Sequence, residues 1–241
     1  MKYKARFAVV ACAFVIARPV LAQQTQPPPK PFEGSVALGF VGTTGNTETS
    51  TFNAEVLATL RSTDWTHNGK FQALGSQENA GTKAEHYFIE DKSDYNLDLD
   101  QYLFVKGSWL DDRFSGYKYQ ATAATGYGRH LANQGDFTLQ AFGGVGYRRN
   151  EDINGVGSSD GIVTLGEKLE WKLSDSAKLV QDFTTDIGGG LTSSVFELGL
   201  ESQIVGRIAT KIAFQARNLS QVPAGRKQTD TQTSVSLVYA F

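Results

Sequence analysis

The sequence predicts an all-β protein, a single closed antiparallel transmembrane β-barrel of about 12 strands. Three observations carry this. Apolar and polar side chains alternate with period two over stretches of about ten residues, roughly twice the usual globular strand. The connections between these stretches alternate between short and long. The chain ends on SVSLVYAF, with Val235, Leu237, Tyr239 and Phe241 on one strand face and mostly small residues on the other.

Residues 1–22 read as a secretory signal. Lys2, Lys4 and Arg6 supply the positive start, Phe7 to Ile16 the short apolar core, and Val20-Leu21-Ala22 fits the small-residue cleavage rule, placing the cut between Ala22 and Gln23. The apolar run is too short to span a bilayer and is broken by Arg18 and Pro19. The chain's one cysteine, Cys12, leaves with the signal, so the mature protein has neither a disulfide nor a thiolate metal site. Four of the 23 basic residues leave too, giving 19 against 25 acidic and a formal charge of −6, a balance unsuited to a nucleic-acid partner. QQTQPPPKP, residues 23–31, is a Pro-rich periplasmic linker, and residues 32–241 form one domain.

Strands are expected near 34–42, 49–61, 65–75, 84–96, 101–110, 117–128, 137–147, 161–173, 178–187, 194–204, 208–218 and 228–241. The second shows the pattern well: Phe52, Ala54, Val56, Ala58 and Leu60 alternate with Asn53, Glu55, Thr59 and Arg61. If the first strand runs outward, one set of connections is mostly tight (62–64, 97–100, 129–136, 174–177, 205–207). The other is mostly longer and richer in Gly and polar residues (43–48, 76–82, 111–116, 148–160, 188–193, 219–227). Short periplasmic turns and longer outer loops belong to a transmembrane barrel. Closure is then forced, because lipid offers no hydrogen bonds to a free edge.

Aromatic residues gather near strand ends, among them Trp65, Tyr95, Trp109, Tyr119, Tyr147, Trp171 and Tyr239, as interface girdles do. Two residues strain the pattern. The register that turns Tyr87 and Ile89 to lipid takes Asp91 with them, and Glu167 lies between outward Leu165 and Leu169. A bulge, an interfacial depth or a shifted register is expected at those points.

The ending Val235, Leu237, Tyr239, Phe241 resembles, position by position, that of Gram-negative outer-membrane proteins, in which it implies the assembly signal read by the barrel-insertion machinery. More narrowly, GSVALGFVGTTGNTETSTFNAEV (34–56) and TAATGYGRHL (122–131) are similar to the family of salt-induced outer-membrane proteins. That resemblance implies induction by salt and brings no substrate or site.

Gly45-Asn46 reads as a hairpin tip, since both residue types tolerate positive φ. Of the three histidines only His86 is placed like a rim base, with Ser76 and Glu78 as conceivable partners across the hairpin, and no nucleophile motif accompanies it. The acidic stretch 148–161 lacks calcium-loop spacing, and GGGLTSS lacks the lysine and helix of a phosphate cradle. The polar faces point to a lumen lined by Glu55, Arg61, Lys70, Lys118, Lys168, Glu170, Glu197, Glu201, Lys211 and Arg217. A mixed-charge interior either lines a narrow channel for a small solute or cross-links and plugs the barrel. The expectation is a non-enzymatic outer-membrane protein without cofactors, in contact with outer-membrane lipid, acting as a small-solute channel or a salt-responsive structural barrel. A lipid hydrolase using His86 and a soluble periplasmic β-sandwich or barrel are the alternatives.

Overall fold

The computed structural model describes residues 30–44, 49–78, 81–112, 117–222 and 225–241. Among these, twelve strands follow one another: β1 (Phe32–Thr44), β2 (Thr49–Arg61), β3 (Trp65–Glu78), β4 (Gly81–Asn96), β5 (Gln101–Asp112), β6 (Tyr117–Gln134), β7 (Phe137–Asp152), β8 (Gly157–Lys172), β9 (Ala177–Gly188), β10 (Thr192–Val205), β11 (Ile208–Leu219) and β12 (Thr229–Ala240). Each pairs antiparallel with its sequence neighbour, and β12 returns to β1 to close the barrel. The signal, most of the Pro-rich linker and the Gly45-Asn46 tip lie outside the described residues.

The barrel is apolar outside and polar inside. In β5, Leu103 and Val105 are exposed while Tyr102, Phe104 and Lys106 between them are buried. In β12, Val235, Leu237 and Tyr239 are exposed while Ser234, Ser236 and Val238 are buried. A water-soluble protein gains stability by burying such large side chains at about 25 cal/mol per Å². Leaving whole strand faces of them outside is the signature of lipid as the outer solvent. Aromatic pairs mark both rims: Trp65 and Tyr95 meet edge to face at 5.2 Å near one, and Trp109 stacks on Tyr119 at 4.6 Å near the other.

The seam explains the aromatic end. Register pairs Val36 with Tyr239 and Phe40 with Val235, and the Phe241 N–H donates to Gly34 O at 2.9 Å while Gly34 N–H donates to Phe241 O at 3.2 Å. The Phe241 ring covers Gly34, where a Cβ would come within 2.5 Å of it, and meets Phe32 at 5.8 Å. Glycine thus leaves room for the last side chain.

Three predicted connections are mostly strand: in 76–82, β3 runs to Glu78 and β4 begins at Gly81. In 129–136, β6 continues to Gln134 and only Gly135-Asp136 turn; a bulge between His130 and Ala132 absorbs one residue and Gly135 takes φ 55. In 148–160, the ladder runs to Asp152 and resumes at Gly157. There the Asp152 carboxylate accepts the backbone N–H groups of Asn154 and Val156, both at 2.8 Å, and Gly155 takes φ 80. Polar strands can project beyond the hydrocarbon because water satisfies their faces, so composition alone understated their length.

Candidate functional site

The alternation that turns Phe52, Val56 and Leu60 outward turns Glu55 and Arg61 inward. The same rule aims Lys70 from β3, Glu90 from β4, Lys106 from β5, Asp182 from β9, Glu197 from β10 and Lys211 from β11 into one lumen. Their charges meet midway. Lys70 Nζ donates to Glu197 Oε2 at 2.8 Å, joining strands 127 residues apart in sequence. Lys211 Nζ donates to Glu55 Oε1 at 2.7 Å and to Glu197 Oε1 at 3.3 Å, and Gln72 Nε2 donates to the other Glu55 oxygen at 2.8 Å.

These contacts need the seam wall to be thin. Glu55 on β2 and Lys211 on β11 flank β1 and β12, and the inward residues between them are small: Ala37, Gly39, Ser234 and Ser236. The Glu55–Lys211 pair therefore straddles the line along which the barrel closes.

The network divides the lumen in two. A cavity of about 240 Å³ opens toward the 97–100 and 174–177 turns, lined by Asp94, Lys168, Glu170, Lys178 and Glu201. One of about 120 Å³ lies on the far side, lined by Ser108, Gln120, Thr122, Arg148, Asp186 and Arg217. Lys70, Glu90, Lys106, Asp182, Thr184 and Glu197 line both, and so form the waist between them. The first chamber carries six lysines and seven carboxylates, the second four basic and four acidic side chains. Neither sign of charge dominates in either chamber.

Each chamber has further inward contacts. In the first, Lys92 Nζ bonds Asp94 Oδ1 at 2.5 Å and lies over the rings of Tyr102, Phe142 and Phe104 at 4.4, 5.1 and 5.3 Å. At the mouth beside the 188–193 turn Arg148, almost fully buried, donates to the carbonyls of Leu191 and Asp186 and sits 3.6 Å from Asp160. The GGGLTSS turn thus folds inward and fixes Arg148. Polar atoms of Gln120, Arg148, Asn150, Thr164 and Asp186 near this mouth are buried without a protein partner.

Of the remaining residues named from sequence, Arg61 bonds Glu33 at 2.8 Å, Lys168 bonds Glu170 at 2.8 Å, Lys178 bonds Glu201 at 3.1 Å, and Arg217 lies opposite Asp230 in register. Lys118 stands apart. A bulge between Tyr117 and Tyr119 lets it leave the interior, and it pairs with Glu151 at the outer rim, largely exposed. His86 is buried on the inner face, 3.7 Å from Asp112, away from lipid; the side chains of Ser76 and Glu78 lie outside the described residues. His67 faces outward and bonds Ser93 at 2.7 Å, while His130 packs against Tyr102. No group of three metal-binding side chains occurs among the described residues.

The sequence reading missed Glu90, Lys92, Asp94, Lys106 and Arg148 as lumen residues. For the three on β4 the signal was present, because they alternate with outward Tyr87 and Ile89. Arg148 was hidden by the expectation that the strand had already ended.

The chain matches the family model described as "Protein of unknown function, DUF481" over residues 36–241. It is 28% identical over 215 residues to "Uncharacterized protein YdiY" of Escherichia coli (strain K12), covering 88% of this chain and 84% of that one. Among solved structures it is similar to the NanC porin, with TM-score 0.56 and 10% identity over 85% of this chain and 98% of that chain. The translocator domain of the autotransporter NalP from Neisseria meningitidis gives TM-score 0.50 and 14% identity over 88% of this chain and 89% of that one. At these identities the structural likeness is one of fold.

Proposed function

The chain belongs to the DUF481 family of proteins of unknown function, and on that premise we propose that it is a narrow outer-membrane channel for small solutes, held nearly shut by its own side chains and carrying out no chemistry. The waist carries this reading: two chambers abut there, and the barrier between them consists of flexible lysine and carboxylate side chains. No helix occupies the lumen among the described residues. A barrel selected only as a rigid wall has no need of two polar cavities in series, whereas a narrow conduit for hydrated solutes does. The near balance of charge favours uncharged or zwitterionic solutes over either ion sign. The inward, carboxylate-flanked setting of His86 gives a lipid hydrolase no base at the lipid face.

The export route follows from the same reading: cleavage between Ala22 and Gln23, passage to the outer membrane, and recognition of Val235, Leu237, Tyr239 and Phe241 by the insertion machinery. The salt-responsive role that the sequence resemblance implies has its physical counterpart in the more exposed pairs Lys168–Glu170 and Lys178–Glu201, which dissolved ions weaken more than the shielded waist.

Planar-bilayer recording tests the proposal. Wild-type protein is expected to give a small steady conductance, and Glu197→Gln a several-fold larger one as Lys70 loses its cross-lumen anchor. No conductance above bare bilayer in either protein would overturn the channel reading and leave a structural barrel.

A further inference from the structure

We propose that the lipid-facing surface of β3, β4 and β5 is the interface between two copies of this chain, related by a two-fold axis along the membrane normal. The inference rests on the membrane placement of the barrel and not on conduction, so a barrel that conducts nothing can still satisfy it.

Asp91 is the starting observation. It is exposed on the outer face, in line with Tyr87, Ile89 and Tyr95. It lies four residues from Tyr95 at the periplasmic girdle, about 13 Å along the strand at ~3.3 Å per residue and ~9 Å in depth at a ~45° tilt. That places it within the ~25 Å apolar band. A charge at such a depth is costly when only lipid surrounds it.

Asp91 does not stand alone. Its carboxylate accepts the Ser93 hydroxyl at 2.8 Å, and Ser93 Oγ lies 2.7 Å from His67 Nδ1 on the adjacent strand. With the serine proton given to Asp91, Ser93 accepts from His67 Nδ1–H, and in the imidazolium form Nε2–H remains as a donor for a carboxylate of a second copy. The outer wall thus carries an acid on β4 and a base on β3, set diagonally: His67 is opposite Ser93 and Asp91 opposite Gly69.

The wall around them is thin for no reason internal to the barrel. Register sets Gly69 and Gly107 on either side of Asp91, with Ala58 and Ala123 beyond. A Cβ at Gly107 would meet nothing within 4 Å, and one at Gly69 only the Ala58 carbonyl at 3.9 Å. Inside the barrel the case is opposite: at Gly144 a Cβ would collide with the Thr125 carbonyl and the Phe104 ring. Folding accounts for Gly144, whereas the outer glycines leave open space beside Asp91, as Gly161 does on β8, so the acid and base found here are what select the occupant.

Charge complementarity and depth select the occupant. Lipid tails offer no hydrogen bond, and a soluble partner does not reach this depth. A second copy brings the same acid and base at the same height. A two-fold axis along the normal exchanges left and right while preserving depth, and so lays β3 of one copy over β4 of the other, His67 against Asp91. The other acid in this belt, Glu167, is already bonded by Gln181 at 3.1 Å, lies between Ala141 and Phe183 in register, and has no base beside it.

Single-cysteine variants of the full chain test the proposal in native membranes, because Cys12 leaves with the signal. Gly69→Cys, shown folded by heat-modifiable gel migration, is treated with a short bis-maleimide beside Ile212→Cys on the far wall, because β3 lies one strand spacing from β3 of the other copy in this arrangement. The expected result is a covalent species of twice the chain mass for Gly69→Cys and none for Ile212→Cys. Adding Asp91→Leu should cut that yield at least several-fold. Monomer only, equal yields on both walls, an adduct with a different protein, or a yield unchanged by Asp91→Leu would overturn the proposal.

Discussion

Removing the Glu197 carboxylate tests whether the waist is held by specific pairs. Glu197 accepts from Lys70 at 2.8 Å and from Lys211 at 3.3 Å, and Lys211 keeps Glu55 at 2.7 Å when Glu197 is lost. Lys70 alone loses its direct anchor. Hydrogen bonds to charged groups contribute about 1.5–3 kcal/mol each. Breaking one side of a fully buried pair costs about 3–5 kcal/mol. The three side chains retain 14–25% exposure to the lumen, so water recovers part of that loss. We expect Glu197→Gln and Lys70→Met each to cost about 2–3 kcal/mol, and the double variant little more than either single one. The coupling is then about 1.5–2.5 kcal/mol. Reversible urea unfolding in detergent–phospholipid micelles, followed by fluorescence of Trp65, Trp109 and Trp171, reads these values. Additivity within ~0.5 kcal/mol would refute the reasoning, since independent sites add to about that precision.

Two further outcomes follow. Deleting Phe241 removes two backbone hydrogen bonds and the ring over Gly34 at one end of a twelve-residue strand; its amount in the outer-membrane fraction should fall several-fold while the urea midpoint of refolded protein barely moves, and the reverse pattern would deny it an assembly role. In the 97–100 turn, the backbone N–H groups of Asp100 and Gln101 donate to Asp98 at 2.8 Å and hold its carboxyl below the usual range. A depressed folded value means the turn's stabilisation is complete above the unfolded pKa of about 3.9 and is lost as pH falls through the folded one. Amide exchange at Asp100 and Gln101, corrected for intrinsic pH dependence, should rise in acid for the wild type and not for Asp98→Ala.

The fold was legible because each strand states its two faces twice over, in what it shows to lipid and in what it hides. The Phe52 to Leu60 series and the SVSLVYAF end needed no tertiary knowledge to interpret. Strand ends were less legible: beyond the hydrocarbon, water tolerates any polar residue, and Arg148 and Asp152 read alike as strand or loop. Alternation also shows which residues point inward but not which of them touch. That Lys70 reaches Glu197 depends on the barrel's circumference and on small side chains at Ala37 and Ser236, neither of which a local pattern encodes. Asp91 was visible as an anomaly, yet its bond to Ser93 and the neighbouring His67 required the pairing of β3 with β4.

The Glu55–Lys211 pair bears on how the molecule is made. Its partners are 156 residues apart, on the second strand and the second-to-last, and an unclosed sheet holds them at opposite margins. Only the final zipping of β12 against β1 brings them together, so this bond is a latch that cannot be fastened early. Until then Glu55 lacks Lys211, while Lys211 already has Glu197 on the neighbouring strand. Once fastened, the latch resists lateral parting of the same two strands.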